Sequence, residues 1–77
     1  MADRDTYRYT MRDGNKIIKF GITDNPERRE AENRAAGLGD TLRIEGPRVK
    51  NETARDWEEG KIDAFAEREG HKPRGNK

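Results

Sequence analysis

From Thr6 to Met11 the chain alternates, with Tyr7, Tyr9 and Met11 on one side and Thr6, Arg8 and Thr10 on the other. That is the period of a half-buried strand. Asp13-Gly14-Asn15 follows, and a D-G pair between two strand-like runs predicts a hairpin. The second run, Lys16 to about Ile22, sets Ile18, Phe20 and Ile22 on one face and Ile17, Lys19 and Gly21 on the other.

Thr23-Asp24-Asn25-Pro26-Glu27 reads as a helix start. Asn25 or Asp24 can cap, Pro26 fits the first helical position, and Glu27 complements the dipole. The spacing carries this helix to about Ala36, where Gly37 terminates it and Leu38 folds back. Its apolar stripe is Ala31, Ala35 and Leu38, with Arg28 at the edge and Arg29 turned away. A short third strand, Thr41 to Glu45, ends before Gly46-Pro47. Asn51 is the expected cap of a second helix from Glu52 to about Glu69, weakened by Gly60 in its interior. The sum is a small α+β domain: a three-stranded antiparallel sheet flanked by two helices in the order β-β-α-β-α. The expected ordered core covers about residues 6–69 of one domain, 1–77, with an extended tail over 70–77.

Composition adjusts this picture in one respect. The chain has 77 residues, 29% hydrophobic and 43% charged, so its core must be thin. A thin core makes a homodimer or larger assembly a reasonable expectation. The net charge of +1 excludes no partner. The tail differs from the rest, because Lys72, Arg74 and Lys77 occur there without an acid. It reads as a solvated end or as a contact for a nucleic-acid backbone.

The absence of cysteine excludes disulfides, thiolate metal sites and a cysteine nucleophile. A single histidine, His71, excludes sites built on two or more. Any metal must therefore be a hard cation on carboxylate and water. With no long apolar run and no signal peptide, the expectation is a cytoplasmic protein with no membrane partner.

The stretch Lys16 to Arg29 has the makings of a phosphate site, since a strand delivers a helix N-terminus and two guanidinium groups to one place. Farther along, Ala54, Trp57, Ile62 and Phe65 share one helical side, and Glu58 falls near the middle of it. A carboxylate in an apolar stripe is costly unless it is paired or binds a cation. It is either a rim residue paired with an arginine or a metal ligand. Arg28 and Arg29 are equally two-sided: a solvated pair with Glu32 available to Arg28, or phosphate ligands. The apolar stripe alone favours Arg28. Lys19 either snorkels from a sheet face or meets phosphate. Tyr7 and Tyr9 are core aromatics unless a nearby cation stabilises a phenolate.

Together these residues resemble the GIY-YIG nuclease superfamily, most closely its short, phage-type branch, whose second motif reads K-I-G-x-T. TYRYTM stands at the first motif with Tyr7 as its tyrosine, and KFGIT, Lys19 to Thr23, stands at the second. DNPERR follows at the family's spacing to an arginine, which selects Arg29 over Arg28. ARDWEEGKIDAF, Ala54 to Phe65, resembles the branch's later helix and puts its metal-binding glutamate at Glu58. The likeness spans most of residues 6–65. Three positions depart from the pattern: Lys19 replaces a tyrosine, Glu30 replaces a common leucine, and the late asparagine is matched only by Asn76 after a longer gap.

The resemblance implies a stand-alone DNA endonuclease domain, of a kind that phages and mobile elements encode, hydrolysing phosphodiesters with little sequence specificity. Glu58 then holds one Mg²⁺ (or Mn²⁺), whose charge favours departure of the 3′ oxygen. Arg29 neutralises charge on the phosphoryl oxygens, and Tyr7 or Lys19 takes a proton from the attacking water. Arg28, Lys72, Arg74, Asn76 and Lys77 add contacts to the DNA phosphate backbone. Two other readings remain open: a binding module that keeps the fold without the catalysis, and a small interaction or inhibitor protein.

Overall fold

A computed structural model describes residues 4–76. Its elements are β1 (Tyr7–Asp13), β2 (Lys16–Thr23), α1 (Pro26–Ala35), β3 (Thr41–Ile44) and α2 (Asn51–Glu69). The strands form one antiparallel sheet in the order β2-β1-β3, with α1 and α2 packed against it. This is the expected α+β architecture. Thr6 lies outside β1, in an isolated bridge to Val49.

The hairpin turns at Gly14-Asn15, with Gly14 at a φ of 65° that an L side chain rarely adopts. Beyond the turn the register contains a bulge. Arg12 pairs with Ile17, but Met11 pairs with Lys19, which leaves Ile18 unpaired. An extra residue reverses side-chain alternation, so Ile17 shares a face with Phe20 and Ile22 rather than with Lys19. The strict alternation read along β2 fails at this point.

On one face of the sheet α2 buries Phe20. The Trp57 and Phe65 rings meet it edge-on at 5.9 and 6.2 Å between centroids, a geometry that matches ring quadrupoles. Ala54 is fully buried in the same contact. The other face carries Tyr9 and Met11, both fully buried beneath α1.

Asn25 caps α1 through its Oδ1, which accepts from the Arg28 backbone N–H at 3.2 Å. At the other end the Gly37 N–H donates to the Arg34 carbonyl and the Leu38 N–H to the Asn33 carbonyl, closing a Schellman motif. The expected stripe of α1 is overturned. Ala31 and Ala35 are exposed, whereas Arg29, Glu30 and Asn33 face inward. Glu30 bonds the Leu42 backbone N–H at 2.9 Å and Asn33 bonds Tyr9, so α1 docks by hydrogen bonds rather than by apolar area. α2 runs unbroken through Gly60. Asn51 is its first residue rather than its cap. The cap position belongs to Lys50, which makes no side-chain capping bond, while Asn51 donates to Thr6 Oγ1 at 3.5 Å.

The tail is more ordered than expected. Pro73 is fully buried, and the Gly75 N–H donates to the Ile18 carbonyl at 2.8 Å. Asn76 Oδ1 accepts the Phe20 N–H, and its Nδ2 donates to the Phe20 carbonyl, both at 2.8 Å. A side-chain amide thereby supplies the ladder bonds that the outer edge of β2 lacks.

Candidate active site

Residues opposite one another in an antiparallel pair share a face. The pairs Met11–Lys19, Tyr9–Gly21 and Tyr7–Thr23 therefore place Lys19, Tyr9 and Tyr7 on the side covered by α1. Asn33 joins two of them. Its Nδ2 donates to the Tyr9 hydroxyl at 3.2 Å, and its Oδ1 accepts from Lys19 Nζ at 3.5 Å. Asn33 is itself buried at 4% exposure, so the network fixes the Lys19 head group from a rigid partner. Gly21 makes room for it. A Cβ there would collide with the Tyr9 ring and hydroxyl, because the phenol lies directly over the glycine.

Arg29 stands one turn before Asn33 on the same side of α1. Its Nη1 lies 3.6 Å from Glu32, while its Nε is buried and has no hydrogen-bond partner among the described residues. A buried donor without a partner is costly unless a ligand completes it. Arg28 points the other way, is largely exposed, and pairs with Asp24 at 3.7 Å. The helix therefore turns Arg29, not Arg28, toward the Lys19–Asn33 network.

Glu58 is half-buried on the inward side of α2, where the apolar stripe placed it. Burial pushes its pKa above the ordinary carboxylate value, and the Lys19 and Arg55 charges pull it part of the way back. Lys19 thus bonds Asn33 on α1 and acts on Glu58 by charge alone: α2 covers the opposite sheet face, and among the described residues no hydrogen bond or ion pair joins Glu58 to Lys19 or Arg29. Among the described residues Glu58 has no ion pair within 4.0 Å. The expectation of an arginine partner at the rim is not realised in contact geometry.

Tyr7 is half-buried on the same face but lies four residues from Met11, the partner of Lys19. That is roughly 13 Å of strand. The tyrosine beside Lys19 is Tyr9, whose fully buried hydroxyl is engaged with Asn33. Tyr7 and Lys19 are therefore separate candidates for a base rather than a contacting pair. Asn76 is committed to the Phe20 peptide, while Lys72 and Arg74 are exposed. Lys77 lies outside the described residues.

No group of three or more His, Cys, Asp or Glu side chains suited to a metal occurs among the described residues. A cation on Glu58 would draw its remaining ligands from water and substrate oxygens, a shell that suits Mg²⁺. Sequence reasoning missed Asn33. Its only signal was a polar residue one helical turn after Arg29, which has meaning only once α1 is known to turn its polar side inward. No helix among the described residues is long and apolar enough to cross a membrane. No family model, no curated protein and no solved structure matches this chain.

Proposed function

We propose that the protein is a metal-dependent DNA endonuclease of the GIY-YIG type, acting on the phosphate backbone with little sequence specificity. The observation that carries the reading is Glu58, a half-buried carboxylate without an ion-pair partner among the described residues, under the charge of Lys19. A lone carboxylate in this setting suits a divalent cation, and Arg29 adds an incompletely bonded guanidinium for a phosphate.

Glu58 would hold the divalent cation, which would supply positive charge to the scissile phosphate and its departing 3′ oxygen. The chain's own groups do the rest. Arg29 binds the non-bridging oxygens and offsets the charge that grows on them as water adds to phosphorus. Tyr7, as a phenolate stabilised by a nearby cation, accepts the proton of the attacking water, while Lys19, positioned by Asn33, holds its charge toward the phosphate. The P–O3′ bond breaks, leaving a 5′ phosphate and, once solvent water protonates the departing oxygen, a 3′ hydroxyl. Lys72, Arg74 and Arg28 hold neighbouring phosphates, and Asn76 contributes by anchoring the β2 edge beside Lys19 rather than by touching DNA.

Conversion of supercoiled plasmid to nicked or linear forms in the presence of Mg²⁺ or Mn²⁺, suppressed by a chelator, is the test. A second reading is supported by Lys19 itself, an ammonium where the family pattern has a phenol. On that reading the fold binds DNA without cutting it. Salt-sensitive binding with no cleavage under any divalent cation would decide for it.

A further inference from the structure

The sheet face covered by α2, opposite the Lys19–Asn33 network, carries a chemically different groove of about 390 Å³ between the sheet and the C-terminal half of α2. Its walls are Ile17, Phe20, Trp57 and Phe65, with Trp57 and Phe65 only partly covered. Three cations reach its mouth: Arg12 from β1, and Lys61 and Arg68 from α2. Glu45 is the single acid there, and it is already shared by Thr10 at 3.1 Å and by Arg12 and Arg43 at 3.7 Å each. Lys61 makes no ion pair among the described residues. Arg68 lies over the Phe65 ring at 5.5 Å and pairs at the exposed rim with Glu69 at 3.1 Å, and Arg8 lies over one side of the Trp57 ring at 6.0 Å.

α2 divides its charges between its sides. Trp57, Lys61, Ala64 and Arg68 recur at helical spacing along the groove. Glu52, Asp56, Glu59, Asp63 and Glu67 recur along an exposed ridge turned away from the sheet. An anion is drawn to the groove and repelled by the ridge.

We infer that this groove binds single-stranded nucleic acid, seating a base against Trp57 and Phe65 while Lys61, Arg68 and Arg12 hold its phosphates. Flat apolar walls with cations at the rim are what a stacked base and its backbone require. The acidic ridge of a second copy would satisfy the cations, but it offers nothing apolar for the walls. The inference goes beyond the proposed endonuclease activity and does not depend on it.

Trp57 is the only tryptophan in the chain, so its fluorescence reports directly on the groove. An oligothymidylate of about ten nucleotides is titrated into the full chain at low salt in EDTA, where no cleavage can occur. The expected result is saturable quenching of Trp57, with affinity falling as salt rises. Lys61→Glu combined with Arg68→Glu, at exposed positions, is expected to weaken binding roughly ten-fold or more while circular dichroism stays unchanged. Arg29→Ala and Glu58→Gln should leave the quenching as it is, so loss of nuclease activity and loss of this site read separately. Absence of quenching, quenching that survives the double charge reversal in the folded protein, or equal quenching by polyglutamate would each overturn the inference.

Discussion

Asn76 completes the edge of β2 by pairing both ends of its side-chain amide with the peptide of Phe20, at 2.8 Å each. Phe20 is the residue that joins sheet to α2, through its edge contacts with Trp57 and Phe65. It also adjoins Lys19. The last turn of the chain is therefore mechanically continuous with both the core and the candidate site. Asn76→Ala is expected to lower unfolding free energy by about 1–2 kcal/mol, the net worth of two such bonds, measured by urea denaturation. Asn76→Asp should be at least as damaging, because an oxygen then faces the Phe20 carbonyl.

Gly21 is the floor on which the Tyr9 phenol rests. Gly21→Ala drives a methyl into a fully buried ring that has no room to retreat. A loss of about 1–3 kcal/mol is expected, as for other overpacked cores. A denaturation midpoint equal to wild type would show that the ring is not held there.

Asn33 gives a sharper test, because its partner can be altered with it. Asn33→Leu leaves the buried Tyr9 hydroxyl without its bond, at a cost of about 1–3 kcal/mol. Adding Tyr9→Phe removes the stranded hydroxyl, so the double variant should be more stable than Asn33→Leu alone. A double-mutant cycle with no coupling would contradict the bond.

Glu58 makes a signed prediction about pH. Its folded pKa is raised above the ordinary 4.5, chiefly by burial. The native state therefore holds its proton more tightly than the unfolded chain does, and Glu58 lowers stability as pH rises from the ordinary value through the raised one. Glu58→Gln should accordingly be more stable than wild type at neutral pH, relative to the difference seen below the ordinary carboxylate range. Lys19→Met removes a charge that opposes the shift and should move the Glu58 titration further upward, readable by NMR. Divalent-cation binding should weaken as pH falls through the same window, since the proton and the metal compete for one carboxylate.

The legible parts of this molecule were those written in local chemistry. The Gly14 turn, the Asn25 cap, the Gly37 terminator and the apolar side of α2 each follow from neighbours a few residues apart, and each is present. Glu58 stood out because one helical face is itself local information. What could not be read depends on partners distant in the chain. The bulge at Ile18 is a property of the β1–β2 pairing and reverses the face of Ile17 without leaving a mark in composition. α1 turns Arg29, Glu30 and Asn33 inward because Tyr9 and the Leu42 backbone wait there with unmet bonds, so its alanines mislead. The ordered tail was hidden for the same reason, since only the bare edge of β2 gives Pro73, Gly75 and Asn76 their places.

The proposed nuclease activity requires Glu58 of α2 and Arg29 of α1 to act on one phosphate. The direct measurement is Mg²⁺-dependent nicking of supercoiled plasmid by wild type, Glu58→Gln and Arg29→Ala at matched folding. Chelator-sensitive cleavage by wild type is expected, reduced roughly 100-fold or more in each variant, the scale of losing a transition-state charge partner. Cleavage that survives Glu58→Gln, or no cleavage by wild type under any divalent cation, would contradict it.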